Sequence, residues 1–168
     1  MPISSHARAL LFAFIALLTS LADLATKRWA EGALAAGARY LGGPARLALA
    51  HNPAGAFDFL RNAPDIVKVP LFALVTLVAL GILANIFLRA RSTAGRLGVA
   101  LVAGGALGNL ADRVRHGYVV DFIDVSAKLG GIERHWPTFN LADVAIVVGV
   151  GLLLVAPTLS SRARSSPS

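Results

Sequence analysis

The chain contains no cysteine in its 168 residues. Disulfides, thiolate nucleophiles and cysteine-ligated zinc or iron–sulfur centres are therefore excluded. Charge is also scarce, at 15% against the roughly 25% usual in soluble domains. The four histidines, His6, His51, His116 and His135, are scattered and show no metal-ligand spacing. Internal repeats are absent, as is any composition shift that would mark a second soluble domain. The net charge of +7 comes without a basic stripe interleaved with aromatics, so it does not point to nucleic acid. What is plentiful is apolar residues, 56% of the chain. That balance argues for one compact integral membrane domain over residues 1–168.

A stretch of about 18 or more apolar residues can cross a bilayer. Four such spans are expected, at about 9–25, 69–88, 97–114 and 141–159. Backbone groups in lipid must satisfy one another, so each span is expected to be a helix. Arg8 ahead of an apolar run suggests a cleaved leader, but the run continues to Asp23 and Lys27 without a small-x-small cleavage site. The first span is therefore expected to be retained. With four spans both termini share a side with the loop near residues 89–96. That side carries Arg8, Arg89, Arg91, Arg96, Arg162 and Arg164 and no acid. Short cation-rich segments stay in the cytoplasm, so segments 27–67 and 115–140 face outward. The tail 162–168 is read as disordered. Within 27–67, RLALAHN, a Pro-Ala-Gly turn and FDFL suggest a strand pair on the membrane surface. ATKRWAEGALAAG suggests a short interfacial helix with Trp29 at headgroup level.

Carboxylates inside spans are costly and point to function. Asp23, Asp112, Asp121 and Asp143 all fall at, or just beyond, the outer end of a span. Ala100, Gly104, Gly108 and Asp112 follow one another at intervals of four, so one face of the third helix packs closely and ends in an acid. Asn109, Asp112 and Arg113 stand at i, i+3 and i+4 and are placed to bond one another; Asp112 with Arg113 reads as a buried structural pair. Asp23 and Lys27 are one turn apart, the spacing of a helix-end salt bridge. Asn140 precedes the fourth apolar run and is placed to cap it. Asp124 is expected to face solvent. His116 and His135 are read as loop residues, Arg115, Lys128 and Arg134 as solvated, and Trp136 as an interfacial anchor.

Asp121 and Asp143 differ from the other acids, because neither has a cation at i±3 or i±4. If the two meet in a low-dielectric site, they cannot both ionise easily. One ionised and one protonated carboxyl would form an acid–base pair for peptide hydrolysis, with no metal, thiol or serine required. The residues alone also leave open a proton- or ion-coupled transporter. Against transport, the second span carries only Thr76 and Asn85 as clear polar groups, and the inner halves of the other spans are apolar.

Three motifs then stand in order: GNLADR at 108–113, VVDF at 119–122 and FNLAD at 139–143. Together with Asp23, Lys27 and the loop from Asn52 to Phe57, they resemble the bacterial lipoprotein signal peptidases, or signal peptidase II, over essentially the whole chain. The resemblance implies an inner-membrane aspartic peptidase of four transmembrane helices with a small outer β-sheet cradle. It implies removal of signal peptides from diacylglyceryl-modified prolipoproteins just before the lipidated Cys, with no cofactor and no metal. It implies a catalytic pair at Asp121 and Asp143, supported by Asn109, Asp112, Arg113 and Asn140, and less directly by Asp23, Lys27 and Asn52. It also implies contact with membrane lipids and inhibition by globomycin-type antibiotics, and nothing in the sequence demands more than a monomer. One departure is visible: the family loop has glycine two places after its Asn, whereas here Gly55 stands three places after Asn52. Asp58 also stands where a small residue is common.

Overall fold

The computed structural model describes residues 5–53, 63–90 and 92–162. Four helices, α1 (Ser5–Ala33), α2 (Asp65–Arg89), α3 (Thr93–His116) and α4 (Leu141–Arg162), combine with four strands, β1 (Arg39–Gly42), β2 (Ala45–Asn52), β3 (Val119–Leu129) and β4 (Ile132–His135). The strands form one antiparallel sheet in the order β1-β2-β3-β4. All four expected spans lie within helices. By length and composition, the stretches His6–Ala33, Ile66–Arg89 and Thr93–His116 are able to cross a membrane, while Leu141–Ala156 forms a shorter apolar helix among the described residues.

The helix surfaces face outward with apolar side chains. Leu10 is 72% exposed, Leu77 62%, Val147 71% and Leu154 73%. Water would not tolerate so continuous an apolar exterior, whereas lipid requires one. The interior is built from small residues. α3 lies between its neighbours with Ala100, Gly104, Gly108 and Asp112 all buried, which is the face expected from their spacing. A Cβ at Gly104 would stand 2.5 Å from the Ala16 carbonyl oxygen, one at Gly105 2.5 Å from that of Ala142, and one at Gly98 2.6 Å from that of Gly149. Backbone contact of this kind allows dispersion rather than hydrophobicity to hold helices together in lipid. α3 starts at Ser92, whose Oγ accepts from the Gly95 N–H at 3.0 Å, and ends at Gly117, which adopts the left-handed conformation (φ 78°), as helix C-termini commonly do.

Three sequence expectations take a different form. Residues 25–33 are not a separate interfacial helix but the last turns of α1. They stay helical because Ala30 and, just beyond the helix, Leu34 bury against Phe122 of the sheet, with Leu47, Leu49 and Ile123 around them. Trp29 projects from this extension half-exposed. RLALAHN does form a strand within β2, but it pairs with β1 on one side and β3 on the other; FDFL lies outside the described residues, as do Arg91, Gly55, Asp58 and the tail beyond Arg162. Residues 119–123, VVDFI, form the start of β3 in the sheet. The β3–β4 hairpin turns at Gly130 and Gly131, both at positive φ (59° and 81°), which a two-residue hairpin loop demands.

The close helix contacts generate a paired prediction. Gly105→Val should lower the melting temperature of the purified protein, corresponding to a loss of about 1–3 kcal/mol from overpacking. Gly151→Ala should be neutral or slightly stabilising, because nothing lies within 4 Å of a Cβ added there. Thermal denaturation in detergent, run on both variants, reads the difference.

Candidate active site

The polar residues of the sequence converge where the C-terminal parts of α1 and α3 meet the N-terminus of α4 and the start of β3. At the base of the cluster lies the Lys27 ammonium, 2% exposed. It is ion-paired with Asp23 Oδ2 at 2.7 Å and Asp112 Oδ2 at 2.9 Å, and donates a hydrogen bond to Asn109 Oδ1 at 2.9 Å. The expected Asp23–Lys27 bridge is present. Asp112, however, takes Lys27 as its cation and not Arg113. Arg113 instead donates to the Asn109 carbonyl at 3.2 Å and lies over the Phe72 ring, 4.3 Å from its centroid.

Both acids around Lys27 also hold backbone. Asp23 Oδ1 accepts from the Ala142 N–H at 2.9 Å, and Asp112 Oδ2 accepts from the Val120 N–H at 3.1 Å. Those amides immediately precede Asp143 and Asp121. The side chain of Asp23 can approach α3 because Gly108 has no Cβ to block it.

Asn140 caps α4 as expected. Its Oδ1 accepts from the Asp143 N–H at 3.0 Å, while Asp143 Oδ2 accepts from the Asn140 N–H at 3.2 Å. This reciprocal pair is a capping box with Asp in place of Glu. The cap forces the Asn140 amide nitrogen the other way, toward Asp121 Oδ1 at 2.7 Å and Asn109 Oδ1 at 3.1 Å. Asn109 is oriented by the same logic. Lys27 and Asn140 both donate to its oxygen, so its nitrogen points at Asp143 Oδ1 at 3.0 Å. From β2, Asn52 Nδ2 donates to Asp121 Oδ2 at 3.1 Å. Asp121 and Asp143 therefore each accept two hydrogen bonds, and they share Asn140 as a donor.

Backbone pairing brings the two acids together. Phe139 bridges Ile123 in antiparallel fashion, with Phe139 N–H donating to Ile123 O at 3.0 Å and Ile123 N–H to Phe139 O at 2.8 Å. The chain leaves along β3, turns, and returns so that Asn140 stands beside Asp121. Burial pushes the Asp121 carboxyl up to about 6 from 3.8, and the negative charge of Asp143 adds to the rise, while the Asn52 and Asn140 donors oppose it.

All nine residues singled out from the sequence, namely Asp23, Lys27, Asn52, Asn109, Asp112, Arg113, Asp121, Asn140 and Asp143, are drawn into this one cluster. Asp124 is the exception among the acids, because it is buried rather than solvent-facing. It accepts from Arg46 Nε at 2.7 Å and lies 2.6 Å from Arg46 NH2, with His135 Nδ1 at 2.8 Å. Burial works against its charge, but the His135 and Arg46 contacts win and hold its carboxyl below the usual range. This cluster ties β2, β3 and β4 together and puts His135 at the end of β4. Its members lie 78 and 11 residues apart, and only the strand register brings them together.

The chain matches the family model for Signal peptidase (SPase) II over residues 15–159. It is 47% identical over 112 residues to a lipoprotein signal peptidase of Syntrophotalea carbinolica, an alignment covering 66% of each chain. It is 36% identical over 145 residues to one of Dichelobacter nodosus, covering 86% of this chain and 92% of that one. Among solved structures, a bacterial membrane enzyme determined by the in meso method at 1.9 Å superposes with a TM-score of 0.71 at 26% identity, over 87% of this chain and 91% of that one. A second, at 2.3 Å, gives 0.69 over 94% and 93% at 24% identity and shows the same fold.

Two predictions follow from the geometry. Lys27→Met leaves Asp23 and Asp112 buried without their cation, so it should cost about 3–5 kcal/mol; the readout is melting temperature. The second concerns pH. The folded state holds the Asp121 proton more tightly than the unfolded chain. Stability from this group is therefore greatest below about pH 4, falls as pH rises through about 6, and then levels. Asp121→Asn should remove that slope, so the melting-temperature difference between variant and wild type should change between pH 4 and 6.

Proposed function

The chain belongs to the signal peptidase II family, and from that premise we propose that Asp121 and Asp143 are the catalytic pair with which it removes signal peptides from prolipoproteins. The observation that carries the assignment is the shared Asn140, which donates from its amide to Asp121 and from its backbone to Asp143. Two carboxylates held on one small residue in a buried site favour a single shared proton. Asp121, raised by burial, holds that proton. Asp143 stands in the first turn of α4, where the helix dipole favours negative charge.

The reaction then proceeds as general acid–base hydrolysis. Asp143 takes a proton from water as the oxygen attacks the scissile carbonyl. Asp121 gives its proton to that carbonyl oxygen, so that a neutral tetrahedral diol forms. Collapse of the diol expels the amine, which takes its proton from the Asp143 carboxyl, and the second diol hydroxyl returns its proton to Asp121. Asn52, Asn109 and Asn140 position the acids, and Lys27, Asp23, Asp112 and Arg113 position the asparagines and the backbone around them. No metal takes part.

The substrate is itself a membrane molecule. The bond cut is the one before a Cys carrying diacylglycerol, and the acid layer is placed at the membrane interface to meet it. An apolar groove of about 350 Å³ runs beside the start of α4, lined by Thr19 and Ala22 of α1, Leu101 of α3, and Leu141, Val144 and Val148 of α4. It accommodates an acyl chain of the diacylglyceryl group. All four helices span the bacterial inner membrane as a single peptidase unit, with both termini cytoplasmic and the acids facing the periplasm, and the enzyme acts as a monomer. The charge asymmetry supports that orientation. Globomycin-type inhibitors compete at the same pair.

Processing of a diacylglyceryl-modified prolipoprotein by purified variants tests the assignment. Asp121→Asn and Asp143→Asn should each lower turnover by roughly 10²–10⁴-fold while each protein still unfolds cooperatively. Near wild-type turnover in either would sink it. In the free enzyme, kcat/KM should fall on the alkaline side with a midpoint near pH 6, as Asp121 loses its proton. Asn52→Ala removes a donor that favours the ionised carboxylate, so that midpoint should move upward.

A further inference from the structure

The end of the bundle remote from the acids carries a second feature. Two clefts there share Arg8, Phe87 and Arg96, one of about 140 Å³ and one of about 90 Å³. They lie where the start of α1, the end of α2 and the start of α3 meet. The floor is the Phe12–Phe87 ring pair, 4.5 Å between centroids. Leu11 and Thr93 line the smaller cleft. Arg8 and Arg96 are both half-buried.

Half-buried guanidinium groups against apolar walls favour anions, and the described residues offer no carboxylate here. No Asp or Glu occurs in residues 5–22, 66–90, 92–111 or 144–162, the described residues from which this end of the bundle is built. Arg96 donates its Nε to the Ala90 carbonyl at 3.1 Å, which orients the side chain at the cleft. The first turn of α3 adds partial positive charge, with Ser92 capping it and Thr93 opening into the cleft.

The geometry points to a binding site for an anionic phospholipid, its phosphate held between Arg8 and Arg96 and one acyl chain lying along Leu11 and Phe12. The site is separate from the acid pair and independent of the peptidase reading. Charge complementarity selects the headgroup, and the apolar floor continuous with the lipid-facing surface selects a lipid over a free anion. A basic pocket between transmembrane helices with apolar walls is the recurrent form of such sites.

Thermal denaturation of the full-length protein in detergent tests this with three probes: phosphatidylglycerol, phosphatidylcholine and inorganic phosphate. Phosphatidylglycerol should raise the melting temperature by roughly 5 °C, while phosphatidylcholine and inorganic phosphate should not. Arg8→Gln should abolish most of that rise and Arg8→Lys should keep part of it. Arg96→Lys, which loses the Ala90 contact but keeps the charge, separates misfolding from lost lipid binding. Cleavage of prolipoprotein in phosphatidylcholine should be unchanged in Arg8→Gln. An equal response to both lipids, a full response to inorganic phosphate, or an undiminished response in Arg8→Gln would each overturn the proposal.

Discussion

A single buried ammonium organises the functional half of this molecule. Lys27 sits in a region where an uncompensated charge would be prohibitive; it is ion-paired with Asp23 and Asp112 and donates a hydrogen bond to Asn109. Each acid then reaches past Lys27 to the backbone amide immediately before Asp143 or Asp121. Asp23 holds Ala142, and Asp112 holds Val120. The third partner, Asn109, has its amide turned by Lys27 so that it donates to Asp143. Lys27 thus acts on both aspartates without touching either.

The cost of this arrangement is met by geometry. Burial opposes ionisation of Asp121, and the negative charge of Asp143 adds to that. Asparagine amides are the counterweight. They supply hydrogen bonds to the charged form without adding a full positive charge. A cation in place of Asn52 or Asn140 would draw both carboxylates into the ionised form. Lys27 is instead kept occupied by Asp23 and Asp112. The same economy explains the small residues of α3: only a glycine at position 108 lets α1 bring Asp23 close enough to cap α4.

Outside the bundle the sheet has a parallel task. Asp121 and Asn140 are separated by a hairpin that leaves along β3 and returns along β4, and the Ile123–Phe139 bridge closes it. Arg46, Asp124 and His135 clamp the three strands that carry it. The sheet and the extended end of α1 bury a small core of Ala30, Leu34 and Phe122. That core is what turns residues 25–33 into the end of a long helix in place of an element lying on the membrane.

Much of this was legible in the order of the residues. Apolar runs locate the helices because lipid leaves the backbone no other way to satisfy itself. The i, i+4 spacing of Ala100, Gly104, Gly108 and Asp112 names the packing face, and the placement of Asn140 before an apolar run names a cap, since both depend on neighbours along one helix. The unpaired state of Asp121 and Asp143 marks them as unusual for the same local reason. What the sequence could not supply were contacts set by strand register and helix docking. That Asp112 would take Lys27 over the adjacent Arg113, that Asp124 would be buried by residues from β2 and β4, and that Asn140 would serve both aspartates at once depend on distances between segments far apart in the chain, as Arg46 and Asp124 are at 78 residues. Local periodicity determined which faces are apolar and which residues are candidates. The tertiary structure decided their partners, because a buried polar group bonds to whatever the fold places within about 3 Å, and sequence proximity does not measure that distance.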